Sequence, residues 1–306
     1  MNSDIPDVLY IETTNTCNAN CIFCAYQYDE RPKNIIDFEL FKKIVLRYKK
    51  VGGNQISLSP FAGEVFVDPN ILVKINFLRE QDFSLIYTYT NALLLHKFSM
   101  NNILTSGLTR LNISMAPLRE DLYIKIYRNN SYKQLLKNIS NLLIAFNNTI
   151  DKTLENISIE FRSNISLHEI KQLPDYKYYI EPYINKNIHI GCMQIFDSWM
   201  GKIKSNDLLD GMVIKDANFD KPVPCSRLSM LQVLANGDTR VCGCRYNHES
   251  KEDVFFLGNA TSEDIIDMYM KPKVKELKDS FFRSEIPKEC ELCSWYTGDN
   301  KWVNMK

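Results

Sequence analysis

The fold of this chain is decided by residues 12–24, ETTNTCNANCIFC, which follow the apolar run Val8–Ile11. They hold three cysteines with the spacing C-x3-C-x2-C. Three thiolates on one short loop can bind three irons of a 4Fe–4S cluster and leave the fourth iron open for a small ligand. A closed zinc site needs a fourth ligand, and the next cysteine and the first histidine are distant, at Cys192 and His96. A zinc knuckle with such a remote ligand is the alternative.

The composition is that of a globular chain with neither a nucleic-acid nor a membrane partner. The 306 residues are 45% hydrophobic, enough for one large α/β domain and a small appended one. The formal net charge is +0 and no long basic block appears, which argues against nucleic acid. We find no secretory signal and no apolar run near the roughly 18 residues that span a bilayer. The nine cysteines are clustered, so we expect metal ligation in the reducing cytoplasm rather than disulfides.

Strand and helix patterns alternate along the first two thirds of the chain. The predicted strands are Val8–Thr13, Gln55–Ser59, Ser84–Thr90, Leu111–Met115, Ile157–Ser163 and Ile188–Ile195. The predicted helices are Phe38–Lys50, Ile71–Arg79, Leu94–Leu104, Tyr132–Phe146 and, more weakly, Leu167–Leu173. This alternation predicts an α/β fold with a parallel sheet. The cysteine loop follows the first strand, and in a βα barrel the loops after strands carry the active site.

The strands have one apolar and one polar face. In the fifth strand Ile159 and Phe161 alternate with Glu160 and Arg162. Because side chains alternate across a strand and helices must cover the apolar face, the polar set is expected to point into the barrel lumen. A lumen of this kind suggests a wet cavity for a polar ligand. The alternative is that several of these polar residues lie on an uncovered edge.

The cysteine triplet resembles that of the radical S-adenosylmethionine (SAM) superfamily, in which the residue before the third cysteine is usually aromatic, as Phe23 is here. The resemblance implies a 4Fe–4S cluster on Cys17, Cys21 and Cys24, with SAM chelating the open iron. It also implies a partial (β/α)6 TIM-like barrel. Reduction of that cluster by a flavodoxin or ferredoxin-type electron donor would then cleave SAM to a 5′-deoxyadenosyl radical.

Further segments resemble family motifs. Ala62-Gly63-Glu64 resembles the Gly-Gly-Glu that holds the SAM amino group, and its alanine requires a negative φ. Thr90-Asn91 resembles Thr-Asn-Gly, Ser114 ends a strand where the family often contacts ribose, and Arg128 precedes a helix as an arginine does in related enzymes. The candidate cofactor-binding residues are Phe23, Gly63, Glu64, Thr90, Asn91, Ser114, Arg128 and Asn164.

The last third of the chain carries a second cysteine set behind a strong hairpin signal at Asn236-Gly237. Helical patterns follow at Thr261–Met270, with Ser262 as cap, and at Val274–Phe282. The arrangement resembles the SPASM/twitch extensions of radical SAM enzymes, a small α+β domain. The resemblance implies one auxiliary 4Fe–4S cluster. Its expected ligands are Cys225, Cys242, Cys290 and Cys293, with Cys244 able to displace Cys242.

A zinc ribbon is the alternative for the second cysteine set, because four cysteines in C-x-C and C-x2-C halves also suit that metal.

The two cysteine sets divide the chain into a partial barrel at residues 1–200, a connector at 201–224 and a twitch/SPASM-like domain at 225–306.

These features favour oxidation of a small polar molecule, such as a sugar or aminocyclitol alcohol, with the auxiliary cluster accepting the electron. Glu12, Glu160 and Arg162 are the candidate catalytic residues for taking the hydroxyl proton or holding the substrate. No peptide-binding domain is expected ahead of Cys17. The alternatives are peptide modification by the same chemistry, epimerisation with Cys244 as hydrogen donor, and a zinc-stapled binding module.

Overall fold

The computed structural model describes residues 5–217, 220–243, 253–291 and 293–298. The strands are β1 Val8–Ile11, β2 Gln55–Ser57, β3 Leu85–Thr90, β4 Arg110–Met115, β5 Asn156–Arg162, β6 Ile188–Met193, β7 Ile195–Phe196, β8 Val213–Ile214, β9 Met230–Val233, β10 Asp238–Val241 and β11 Phe256–Asn259. The α-helices are α1 Phe38–Lys50, α2 Ile71–Glu80, α3 Met100–Thr105, α4 Glu120–Tyr127, α5 Tyr132–Asn148, α6 Leu167–Gln172, α7 Pro174–Tyr179, α8 Ile265–Tyr269, α9 Pro272–Phe282 and α10 Lys288–Glu291.

One nine-stranded sheet organises these elements, in the order β11-β10-β9-β1-β2-β3-β4-β5-β6. Strands β1 to β6 are parallel neighbours in chain order, and at least one helix lies in each connection between them. Parallel strands joined through helices form a βα sheet that curls toward a barrel. The predicted α/β fold with a partial (β/α)6 barrel is confirmed.

The helices cover the apolar face of this sheet. Ile113, Ile159 and Phe161 are fully buried there, and α5 turns buried side chains such as Leu135 and Ile139 inward. Burial of each such side chain stabilises the fold by about 1.5–3 kcal/mol. The polar residues between them on each strand therefore point the other way, into the concave side.

Helix α1 shows how local sequence fixes an element. It begins where predicted because Asp37 caps it, and the Asp37 Oδ1 accepts a hydrogen bond from the Leu40 N–H at 2.9 Å. Near its end, the buried Tyr48 hydroxyl donates to the Pro6 carbonyl at 3.0 Å. Glycine is needed at Gly53, because an added Cβ would lie 2.4 Å from the Tyr48 ring.

The C-terminal hairpin continues the barrel sheet. Strand β9 pairs in parallel with β1, with Leu9 opposite Leu231, while β10 pairs antiparallel with β9 and β11. The sequence predicted the hairpin but not its docking on β1. The division at residues 200 and 225 stays a prediction, because the sheet runs through both parts.

Several predicted elements differ from the structure. The segment Leu94–Leu104, predicted as one helix, forms a short turn at Leu95–Lys97, and α3 starts only at Met100. Asn138 donates from Nδ2 to the Ala92 carbonyl at 2.8 Å and to the neighbouring Leu93 carbonyl at 3.0 Å. Those bonds hold the two residues just before the segment in a non-helical loop.

Three further differences concern the ends of a helix, a missed helix and the end of a strand. Helix α8 spans Ile265–Tyr269 rather than Thr261–Met270, because Asp264 and not Ser262 is its cap: the Asp264 Oδ1 accepts from the Ile266 N–H at 2.8 Å. Helix α4 was not predicted. The predicted sixth strand breaks after Met193, where β7 pairs with β8 in a separate sheet.

Among the residues that the structure describes, no helix combines the length and the hydropathy needed to cross a bilayer.

Candidate active site

The loop after β1 places the thiols of Cys17, Cys21 and Cys24 together. Burial raises the pKa of Cys17 to about 12, with the charges of Glu64 and Cys24 adding to the rise. Burial also raises the pKa of Cys21, and the thiols of Cys24 and Cys17 raise it further. Three thiolates this close oppose one another unless a cation lies among them, as the irons of a cluster do. The donor set fits a 4Fe–4S cluster bound at three corners.

Asparagine side chains from other parts of the barrel fix this loop. Asn91 Nδ2 donates to Asn18 Oδ1 at 2.7 Å and approaches Cys17 Sγ at 3.9 Å. Asn129 Nδ2 donates to the Asn18 carbonyl at 2.8 Å. Sequence reasoning missed Asn18 and Asn129, whose only signal was their place beside the cysteines and beside Arg128.

Glu64 ties the loop after β2 to the end of β3. Its Oε1 accepts from the Thr90 hydroxyl at 2.6 Å, and its Oε2 accepts from the Asn91 N–H at 2.7 Å. Burial raises the pKa of Glu64 to about 7, although these hydrogen bonds act in the opposite direction. The structure thus brings together the two motifs singled out in the sequence, Gly63-Glu64 and Thr90-Asn91.

The backbone at these motifs explains their small residues. An added Cβ at Gly63 would lie 2.5 Å from the Thr14 carbonyl oxygen, so only glycine fits. Ala62 is not among the residues with positive φ, as an alanine there requires. Ala92, where the family motif has glycine, has a φ of 62°, a left-handed conformation that costs alanine about 1–2 kcal/mol.

Glu12, predicted as a candidate base, is wrongly placed for that role. Its side chain is fully buried and pairs with the Arg31 guanidinium through bonds of 2.8 and 3.1 Å. Its two oxygens also accept from the N–H groups of Phe61 and Ala235, at 3.1 and 3.2 Å. A carboxylate with four donors already on it has no position left for a substrate proton. Glu12 instead joins β1, the loop at Asp29–Arg31, the β2 loop and the β9–β10 turn.

Glu160 and Arg162, the other two candidates, lie on the concave side as a pair. Arg162 Nη2 lies 2.8 Å from Glu160 Oε2, and Arg162 Nε donates to the Ser114 hydroxyl at 3.3 Å. The guanidinium also lowers the pKa of Cys24, against the larger effect of burial, so it lies within electrostatic reach of the cluster loop. The Ser114 hydroxyl shares a 3.0 Å hydrogen bond with Tyr127.

A cavity of about 280 Å³ lies beside this pair. It is lined by one inward-facing residue from each of four adjacent strands, together with Glu160 and its neighbours. The row runs across β3 to β6 in register: Tyr89, Asn112, Ser158 and His189. The volume suits a small molecule, at the lower end of the range for ligand pockets.

The candidate cofactor-binding residues Arg128 and Asn164 lie in different surroundings. Arg128 is exposed in a left-handed conformation and donates to Gln27 Oε1 at 3.2 Å, so it lies beside the cysteine loop rather than in the lumen. Asn164 follows β5, and its Oδ1 is buried without a hydrogen-bond partner among the described residues. Such an orphaned acceptor fits a donor supplied by a bound cofactor.

The second cysteine set also converges. Cys225, Cys242, Cys290 and Cys293 line one small cavity, whose other walls are mostly aromatic, and Cys244 lies outside the described residues. Burial, and after it the neighbouring thiols of Cys293 and Cys225, raise the pKa of Cys290 to about 12. Within the described part of the chain, no three His, Cys, Asp or Glu side chains converge closely enough to bind a single metal ion. A 4Fe–4S cluster needs no such convergence, because each cysteine binds a different iron.

Residues 196–199, here called the connecting segment, join the two cysteine sites. Trp199 Nε1 donates to the carbonyl of Phe23, next to Cys24, at 3.1 Å. Asp197 Oδ2 accepts from the Trp199 N–H at 3.0 Å, and Asp197 Oδ1 accepts from the hydroxyl of Ser294, next to Cys293, at 2.5 Å. Phe23 also packs on the segment through Phe196, at 5.2 Å between ring centroids.

This geometry of three cysteines after the first strand of a parallel βα sheet agrees with comparison to known families. Residues 11–154 match the radical SAM superfamily. The chain carries a radical SAM domain. Enzymes of this superfamily use a 4Fe–4S cluster and SAM and need a reductant, so the expected SAM-binding cluster is confirmed at the level of the family.

Curated relatives are similar over part of their length. The GTP 3′,8-cyclase of Campylobacter lari is 31% identical over 151 residues, 46% of this chain and 44% of the relative. That of Petrotoga mobilis is 25% identical over 231 residues, 74% of this chain and 66% of the relative. The chain spans about half of the length of several of the curated relatives it matches, with coverages of 44% and 52%.

Solved structures share the fold over nearly the whole chain. SuiB of Streptococcus suis, bound to its precursor peptide SuiA, matches with a TM-score of 0.66 and 13% identity, over 99% of this chain and 74% of SuiB. BtrN in complex with AdoMet and 2-DOIA matches with a TM-score of 0.54 and 13% identity, over 96% of this chain and 99% of BtrN. At this identity the likeness concerns the fold alone.

Proposed function

We propose that this radical SAM enzyme is a dehydrogenase that oxidises a secondary alcohol of a small polar molecule. The observation that carries the proposal is the cavity lined by Tyr89, Asn112, Ser158, Glu160 and His189. Its lining offers hydroxyl, amide, imidazole and carboxylate groups beside Ile159 and Ile190. A ligand that fills it must exchange hydrogen bonds with these groups, because buried polar atoms without partners are costly.

When bound, SAM and the first cluster supply an organic radical that removes a hydrogen atom from a C–H bond of the substrate. The residues of the chain then have two tasks. Glu160 accepts the proton of the substrate hydroxyl, and Arg162 orients the carboxylate through the 2.8 Å contact between them. The hydrogen atom, the hydroxyl proton and one electron leave the substrate, and the alcohol becomes a ketone.

The electron requires an acceptor, and the proposed acceptor is an auxiliary 4Fe–4S cluster on Cys225, Cys242, Cys290 and Cys293. Support comes from the convergence of these four thiols on one cavity. Four thiolates leave no iron open for substrate, which suits electron transfer. A flavodoxin or ferredoxin-type donor is proposed as the reductant. Among the structural neighbours, BtrN was crystallised in complex with 2-DOIA beside AdoMet.

Peptide modification is the second candidate. It is favoured by the match to SuiB, whose structure holds a precursor peptide and whose TM-score of 0.66 exceeds the 0.54 of BtrN. A peptide would need an open channel to the cavity. Epimerisation with Cys244 as hydrogen donor concerns a residue outside the described part of the chain.

Isotope transfer tests the proposal. The reconstituted enzyme is given candidate alcohols deuterated at the reacting carbon, in ordinary and in heavy water. A dehydrogenase moves the deuterium into 5′-deoxyadenosine and gives a product lighter by two hydrogens, with no solvent hydrogen at that carbon. An epimer that has exchanged the substrate deuterium for hydrogen in ordinary water, or that gains one deuterium from heavy water when the substrate is unlabelled, would instead show epimerisation and would sink the proposal.

The auxiliary cluster has its own test. Replacement of Cys17, Cys21 and Cys24 by alanine should remove SAM cleavage and leave about four irons per chain, against about eight in the wild type. Zinc in the second site of the wild type would contradict the proposed electron acceptor.

A further inference from the structure

Gly191 occupies a position in β6 that the fold itself does not require to be glycine. Its φ is not positive, so any residue can adopt its backbone conformation. An added Cβ would lie 3.7 Å from Glu160 Cγ and 3.9 Å from Glu160 Oε1, ordinary contact distances with nothing nearer. Gly63 and Gly211 differ, because a Cβ there would meet backbone oxygen at 2.5 and 2.1 Å.

The space left by Gly191 lies inside the cavity. Gly191 stands opposite Glu160 in the strand register and lines the cavity with it. Glu160 Oε2 is engaged by Arg162, while Oε1 is the oxygen on the Gly191 side. The missing side chain therefore keeps open the approach to a carboxylate oxygen that has room to accept a further hydrogen bond.

The row of residues next to Gly191 completes a surface of hydrogen-bonding groups. Asn112 Nδ2 donates to the Thr88 carbonyl at 3.1 Å, which leaves its Oδ1 as an acceptor. The Ser158 hydroxyl and the His189 ring have no hydrogen-bond partner among the residues that the structure describes. These donors and acceptors are one strand apart, about 4.8 Å. A ligand with several hydroxyl groups around a ring can bond to more of them than a ligand with a single polar group.

We propose that Gly191 determines substrate specificity by leaving room for a polyhydroxylated six-membered ring, one of whose hydroxyl groups donates to Glu160 Oε1. The inference rests on the proposed function and deepens it by naming the ligand class and the residue that sets its size. A methyl group at position 191 would occupy the space of that hydroxyl without disturbing β6.

Binding to the unreduced enzyme tests this without any turnover. The reconstituted, SAM-loaded protein is titrated calorimetrically with an inosamine, a cyclohexane ring with hydroxyls and one amine. Wild type should bind it, and Gly191→Ala should bind at least tenfold more weakly, with Gly191→Val weaker still. The affinity for SAM should stay within twofold in both variants.

Cys192→Ala is the matched control, because it lies next to Gly191 on the same strand with its Sγ turned to the Ile165 carbonyl at 3.5 Å. It should bind the inosamine as the wild type does. Equal inosamine affinity in Gly191→Ala and wild type, or no binding by wild type, would overturn the inference. Loss of SAM affinity in Gly191→Ala would also overturn it. Because no reaction is run, these outcomes are separate from the isotope test of the dehydrogenase.

Discussion

Replacing Glu12 by glutamine tests the reassignment of this residue from candidate base to buried anchor. The substitution keeps the shape of the side chain and removes its charge. The Arg31 guanidinium, 9% exposed, would lose its charged partner at position 12 and keep the Asp29 carboxylate, with bonds of 2.8 and 3.0 Å. The new amide N–H₂ group would also face the N–H of Phe61 or of Ala235, and two donors cannot bond to each other.

The expected cost is large for a single substitution. Breaking a buried ion pair by removing one partner costs about 3–5 kcal/mol, because it leaves an uncompensated charge. Asp29 offsets part of that loss, while the unsatisfied backbone donor adds about 1–3 kcal/mol. We therefore expect Glu12→Gln to lower the free energy of unfolding by about 3–5 kcal/mol.

Urea unfolding of the anaerobic, reconstituted protein, followed by circular dichroism, measures this loss. The matched control is Asp121→Asn, since Asp121 pairs with Arg119 at 2.6 Å but both side chains are 51% exposed. That substitution should change stability by less than about 1 kcal/mol. A Glu12→Gln variant that is as stable as wild type, binds SAM, and yet has lost turnover would refute the reasoning and restore Glu12 as a base.

Three further outcomes are expected. Ala92→Gly should raise the free energy of unfolding by about 1 kcal/mol, because Ala92 has a φ of 62° that glycine adopts without strain. The control, Ala145→Gly in helix α5, should lower the free energy of unfolding by about 1 kcal/mol, because glycine is unfavourable inside a helix. Urea midpoints measure both changes. The pKa of Glu64 is about 7 in the folded protein, against about 4.5 in the unfolded chain, so the folded state binds the proton more tightly. The free energy of unfolding should therefore fall as the pH rises from about 4.5 to about 7. Glu64→Gln should flatten this pH profile, measured by thermal unfolding. Lys74→Met should lower the free energy of unfolding by about 3 kcal/mol, because it leaves the fully buried Asp68 carboxylate without its 2.7 Å partner. Adding Asp68→Asn should recover part of that loss. If the losses of the two single variants simply add in the double variant, the pairing is contradicted.

Local patterns in the sequence predicted much of the barrel. Strand alternation such as Ile159-Glu160-Phe161 follows from side chains that point to opposite faces, so the apolar face and the lumen face could be assigned directly. The cysteine spacing located the loop at the carboxyl end of β1. These signals lie within a few residues of the feature they predict.

The contacts that the sequence did not predict join distant parts of the chain. Glu12 looked like a lumen residue by parity, yet it pairs with Arg31 and with the Ala235 N–H, 223 positions away. The bonds of Asn138 to the Ala92 and Leu93 carbonyls overrode the helical pattern at Leu94–Leu104 in the same way. Propensity and periodicity carry no information about which buried donor a given acceptor will meet.

The docking of β9 on β1 has a consequence for the way the chain is made. Strand β1 leaves the ribosome long before β9, and β2 can pair with one of its edges early. Its other edge waits for Met230–Val233, some 220 positions later. Until then an apolar strand edge is exposed, which is the kind of surface that pairs with other chains. Synthesis that stops before β9 should therefore yield an aggregating product.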